Sequence, residues 1–124
     1  MDARLYIFRA SACFWMLLIF VLSSQPHLPL PRLFSMSDLL AHAVFYGVLC
    51  ALLARSLMPP EVTTWKRMLL LTVLVTAYGV TDEYHQSYVP GRDASPWDVL
   101  ADGIGGFMVA WTMHWRYRRA AQIA

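Results

Sequence analysis

Residues 66–102 read KRMLLLTVLVTAYGVTDEYHQSYVPGRDASPWDVLAD. Two bases precede the uncharged run from Met68 to Thr81, which ends at a tight group of polar residues, Asp82, Glu83, His85 and Gln86. Pro90-Gly91 then breaks the chain. Ser95-Pro96-Trp97-Asp98 reads as a helix start, with a capping serine, proline at the first helical position and an acid in the first turn. One apolar segment therefore runs from bases to acids, and the next begins at acids and runs back towards the bases of residues 116–119.

The same grammar extends outward. Apolar blocks of membrane-spanning length cover Ile7–Ser24, Asp38–Leu57, Arg67–Ser87 and Trp97–Trp115. Pro26, Pro29 and Pro31 separate the first from the second, where Ser35 and Asp38 form a weaker helix start; Pro59-Pro60 closes the second. Four spans of about 20 residues use most of the chain, so one domain over residues 1–124 is expected. With 58% hydrophobic and 15% charged residues in 124, and a mean hydropathy of +0.46, the composition departs from that of soluble domains. An all-α integral membrane four-helix bundle is the expected fold. A net charge of +2 is too small to argue for nucleic acid.

Arg4 and Arg9 precede the apolar run Ala10–Leu22 of the first block, and Ser23-Ser24-Gln25-Pro26 after that run offers no small-residue cleavage site, so it is read as a retained span. Cys13 and Cys50 lie inside apolar blocks and are expected to behave as small core side chains. Arg4, Arg9, Arg55, Lys66, Arg67, Arg116, Arg118 and Arg119 collect on one side of the expected spans, against Arg32 and Arg92 on the other. The excess of bases marks the cytoplasmic side and places both termini there. Trp65, Trp111, Trp115 and Tyr117 would sit at that interface, and Trp97 at the outer one.

Counting helical residues from the basic anchors puts His42, Asp82, Glu83 and Asp102 about 6–10 Å below the outer boundary, with Asp38 and Asp98 nearer to it. Helical phase groups Asp38, His42, Phe45 and Tyr46 on the second span. On the third it groups Tyr78, Asp82, His85 and Gln86, with Glu83 to one side. The fourth carries Asp98, Asp102, Gly105 and Val109, with Gly106 at the edge. Facing inward, these residues would line an outward-opening pocket beneath Arg92 and Asp93, with Arg92 pairing with Asp98 or Glu83. Ionisable residues at membrane depth cost about 2.5–3.5 kcal/mol each on insertion scales and mark functional sites. The small residues Ala101, Gly105, Gly106 and Ala110 suit close helix approach. His27 and His114 stand apart from other ionisable groups.

The run Asp82-Glu83-Tyr84-His85-Gln86-Ser87-Tyr88-Val89-Pro90-Gly91-Arg92-Asp93-Ala94-Ser95, followed by Asp98 and Asp102-Gly103-Ile104-Gly105, resembles the VanZ-like family. Ser24-Gln25-Pro26 and Asp38-x-x-x-His42-x-x-x-Tyr46 support the resemblance. Asp102 stands where the family more often has Asn, and Tyr88 where Phe is frequent. The resemblance covers nearly the whole chain. It implies a multi-pass protein of the bacterial cytoplasmic membrane with an envelope-related role, and the family's namesake is associated with teicoplanin resistance. It supplies no reaction.

Three roles remain open for the polar cluster. As a binding site or accessory element, Asp38, His42, Tyr46, Asp82, Glu83, Gln86, Arg92, Asp98 and Asp102 would receive a lipid-linked or glycopeptide ligand at the outer leaflet. As an enzyme acting on a lipid-linked envelope substrate, Asp82, Glu83, His85 and His42 would move protons, because crowded carboxylates push one another's affinities for the proton apart. As a structural network, the same residues would hold the helices together or seat the chain in a larger membrane complex. Carboxylates and histidines could also hold a divalent ion, but no ligand-spacing motif specifies one, and no cofactor is implied.

Overall fold

The computed structural model describes residues 3–26, 37–57 and 64–123, which form four α-helices and no strand: α1 (Ala3–Ser23), α2 (Ser37–Leu57), α3 (Trp65–Gln86) and α4 (Pro96–Ile123). The expectations placed on His27, Pro29, Pro31, Arg32, Ser35, Pro59 and Pro60 lie outside the described residues. Helix bounds follow the apolar blocks closely except in α4, which continues past Trp115 to Ile123. Residues 116–122 contain neither glycine nor proline to stop it, and the Arg119 guanidinium lies 3.8 Å from the centre of the Trp115 ring one turn back. Helices α1 and α2 are long and apolar enough to cross a membrane.

Between α3 and α4 the chain turns on Val89–Arg92. The Arg92 N–H donates to the Val89 carbonyl at 3.1 Å, and Gly91 sits at φ 82°. Proline followed by a positive-φ residue defines a type II turn, which favours glycine in the second place. Ser95 then starts α4, its hydroxyl accepting the Trp97 N–H at 3.2 Å.

The central pair is α2 and α4, which run parallel and approach closely because glycines line the crossing. A Cβ on Gly105 would collide with the backbone of Ala43, 2.7 Å from its Cα, and one on Gly47 would come within 3.2 Å of Val109. Antiparallel to α4, α3 packs Val75 onto Gly106 and Gly79 onto Asp102. Antiparallel to α2, α1 is tied by the Trp15 indole to the Phe45 carbonyl at 2.9 Å and by Arg9 to the Ser56 carbonyl at 3.3 Å. Tyr78 of α3 reaches the Met16 carbonyl of α1 at 2.7 Å. The chain thus runs up, down, up, down.

Ile19, Tyr46, Leu49, Cys50, Leu71, Val75 and Ala110 form the middle of the core. Cys50 belongs to it, whereas Cys13 is exposed on the outside of α1; the block containing Cys13 is apolar all round, so its phase did not distinguish inside from outside. The outer faces of all four helices carry exposed apolar side chains, among them Phe14, Leu17, Leu40, Val44, Val73, Val80, Ile104 and Met108. Buried polar residues include Asp82, Glu83, Gln86 and Asp102. This inverts the usual soluble arrangement, in which charged side chains are rarely fully buried.

Candidate functional site

Alternation of helix direction brings the start of α2, the end of α3 and the start of α4 to one end of the bundle. Asp82 and Glu83 are 5% exposed and Asp102 is fully buried. His42 lies between the two acids of α4: its Nδ1–H donates to Asp102 Oδ1 at 2.9 Å, and its Nε2 is 3.8 Å from Asp98 Oδ2. The second distance is too long for a hydrogen bond.

Asp102 fits because α3 carries Gly79 opposite it. A Cβ there would strike the Asp102 carboxylate, so the missing side chain makes the space that the acid fills. Phase counting passed over Gly79; a glycine inside an apolar helix at the depth of Asp82 and Asp102 is the signal that points to it.

Gln86 organises the acids of α3. Its amide nitrogen donates to Asp82 Oδ2 at 3.2 Å and Glu83 Oε1 at 3.3 Å, while its oxygen accepts from Arg92 Nη2 at 2.6 Å. The pairing expected of Arg92 with Asp98 or Glu83 is replaced by this contact, although Arg92 stays close enough to act on Asp98 electrostatically. A guanidinium bound to the amide oxygen orients both amide hydrogens towards the carboxylates. The other oxygen of Glu83, Oε2, accepts the backbone N–H of Ser95 at 2.8 Å. A side chain from α3, rather than the first-turn acid Asp98, thus holds the Ser95 N–H.

Three buried polar atoms at the inner edge of this network make no hydrogen bond of good geometry, Tyr46 Oη, Asp82 Oδ1 and Asp102 Oδ2, although the Tyr46 and Asp82 side chains lie within hydrogen-bonding range of each other. Tyr46 is within electrostatic reach of both acids. Orphaned buried polar atoms are uncommon, and each calls for an explanation such as an ion or water.

Other expected site residues are placed differently. Asp38 and Asp93 are exposed, Asp38 acting on Asp98 only through its charge. Phe45 stacks on Trp15 of α1, ring centres 5.3 Å apart. His85 is set apart from the acids: its Nε2 is 2.9 Å from Ser24 Oγ, and its ring lies 4.4 Å from that of Phe20. Ser24 Oγ is also 2.7 Å from the Phe20 carbonyl. The Ser24–His85 contact ties the end of α1 to α3.

Glu83 also borders an open groove of about 350 Å³, flanked by Val80, Tyr84, Ser87, Ser95, Pro96 and Val99. One donor atom each from His42, Glu83 and Asp98 lie within 4.8 Å of one another. Chemically, the assembled site is an acid-rich, hydrogen-bonded cluster: four carboxyl groups accompany one imidazole and one guanidinium.

A small four-helix protein with a buried acidic network at one end is the class that fold and site define. No protein-family model, curated protein or solved structure matches the chain.

Proposed function

We propose that the chain is a four-span integral membrane protein of VanZ-like type, with both termini cytoplasmic. Its acidic end, near the outer face of a bacterial inner membrane, acts as a binding site in an envelope-related accessory role. Support for the membrane setting comes from the apolar outer faces of all four helices, since soluble monomers seldom expose apolar surface on that scale. The division of charge along the bundle supports the orientation: bases at the α1 and α3 starts and the α2 and α4 ends, acids at the other end.

The observation that carries the binding role is the convergence of Asp82, Glu83, Asp98, Asp102 and His42 from three helices, with a buried oxygen of Asp102 left unpartnered. A network meant only to hold helices together would be expected to satisfy its own atoms. Excess negative charge favours a cationic group as ligand, whether on a lipid-linked precursor or a glycopeptide.

A second reading, a structural clamp, is favoured by Glu83, both of whose oxygens are engaged within the protein. The two readings separate in cells lacking the native chain and supplied with Asp82→Asn or Asp98→Asn variants. Under the binding role, folded and membrane-inserted variants lose the envelope response, including any glycopeptide tolerance the native chain confers. If every variant that folds retains the response, the binding role is wrong and the clamp stands.

A further inference from the structure

We propose that the acidic end holds one divalent first-row transition ion, such as Zn²⁺, between His42 Nε2, a carboxylate oxygen of Glu83 and one of Asp98, with Asp102 as the positioning residue for the imidazole. This deepens the reading of the acidic end as a binding site and rests on it.

Geometry is the first argument. Three helices contribute one donor each, and the donor atoms lie within 4.8 Å of one another. Because His42 commits Nδ1–H to Asp102 Oδ1, a neutral imidazole directs the Nε2 lone pair towards Asp98, 3.8 Å away. Two ligands each about 2.1 Å from a tetrahedral ion stand about 3.4 Å apart. The gap between His42 and Asp98 is therefore too wide for a hydrogen bond and needs only a small closure to coordinate. Carboxylate, imidazole and metal in sequence is a recurrent arrangement in which the outer acid fixes the ring and raises its basicity.

The second argument is independent of donor spacing. Asp102 is fully buried and its Oδ2, on the side of Gly79, has no hydrogen-bond partner, while Gln86 links Asp82 to Glu83. The carboxyl groups of Asp82, Glu83, Asp98 and Asp102 outnumber the bases His42 and Arg92 at this end, and a doubly charged ion supplies positive field there. Glu83 remains able to coordinate while bonded to Ser95 and Gln86, because each carboxylate oxygen has two lone pairs. Imidazole among the donors favours Zn²⁺ over Mg²⁺ or Ca²⁺, and three protein ligands leave a coordination position for water or a ligand.

The test uses the full chain in detergent micelles, stripped with a chelator and titrated with Zn²⁺ alone by calorimetry, with elemental analysis for stoichiometry. One ion per chain is expected. His42→Ala and Asp98→Asn should weaken binding by more than about 100-fold, and Asp102→Asn by about 10–100-fold with the stoichiometry at saturation unchanged, as for an outer-shell partner. Asp93→Asn, an exposed change, should bind as the native chain does. X-ray absorption of the Zn²⁺-loaded native protein keeps the test open should the variants fail to fold; it should show nitrogen and oxygen ligands and no sulfur. Absence of stoichiometric binding, equal binding by His42→Ala, or sulfur in the coordination shell would overturn the proposal. If the native chain binds no ion while folded Asp98→Asn still loses the envelope response, the metal is excluded and the binding role survives.

Discussion

Glu83 Oε2 accepts the backbone N–H of Ser95 at 2.8 Å, so a side chain near the end of α3 caps the start of α4. The carboxylate sits at the positive end of the α4 dipole, and Ser95 in turn holds the Trp97 N–H. A charge-assisted bond of this kind is stronger than a neutral one. Glu83→Gln keeps the shape and an acceptor oxygen but removes the charge. It should lower stability by about 1–3 kcal/mol, read as a fall in thermal midpoint in detergent. Asp98→Asn, outside this cap, should fall less.

Close approach of α2 and α4 depends on Gly105, where a Cβ would meet backbone atoms of Ala43 that cannot rotate away. Gly105→Ala should force the helices apart and cost at least about 1–3 kcal/mol, with the His42–Asp102 bond weakened in consequence. At Gly47 the Cβ would meet a side-chain methyl of Val109 at 3.2 Å, which can give. Gly47→Ala should therefore be the milder change. Thermal midpoints of the two variants check the ranking.

Much of the architecture was legible in sequence because its signals are local: proline and glycine breaks, apolar runs of fixed length, and bases at alternate ends. The common level of His42, Asp82, Glu83 and Asp102 at one end of the bundle followed from counting residues along helices, which needs no knowledge of neighbours. Partner choice was not legible. A helix touching two neighbours has a broad inward face, and residues about 100° apart on it can point at different helices. On α3, Tyr78 and His85 turn to α1 while Asp82, Glu83 and Gln86 turn to the site. Asp38 shares a phase with His42 but lies one turn nearer the bundle end, where it is exposed.

Orientation gives a prediction that needs no ligand. In a chain freed of Cys13 and Cys50, a single cysteine at the exposed position Asp93 should react with a membrane-impermeant thiol reagent applied outside intact cells. One at Ala120, on the C-terminal extension of α4, should react only after permeabilisation. The opposite pattern would invert the topology.

Gln86 is the hinge of the site's hydrogen bonding, donating to Asp82 and Glu83 and accepting from Arg92. Gln86→Leu preserves bulk but strips a partner from two buried carboxylates and a guanidinium at once. Leaving buried polar groups unpaired costs about 1–3 kcal/mol each, more when they are charged. The loss should exceed that of Glu83→Gln, and Arg92→Ala in the Gln86→Leu background should add little, because the contact they share is already gone. A double-mutant cycle on thermal stability measures this coupling.

His85 provides the sharpest separation between a helix tie and a site residue. Its contacts are Ser24 and the Phe20 ring on α1, both away from the acids, so its removal should loosen α1 without altering the recess. Ser24→Ala removes the hydroxyl's contacts with His85 and with the Phe20 carbonyl and should cost about 0.5–1.5 kcal/mol. His85→Phe retains the aromatic contact with Phe20 and should cost a similar amount. Both variants should keep the envelope response and Zn²⁺ binding of the native chain, provided they are compared below their thermal midpoints. Loss of either property in a folded Ser24→Ala protein would move Ser24 and His85 into the functional machinery, and would make the serine–histidine pair, rather than the His42–Asp102 pair, the place to look for chemistry.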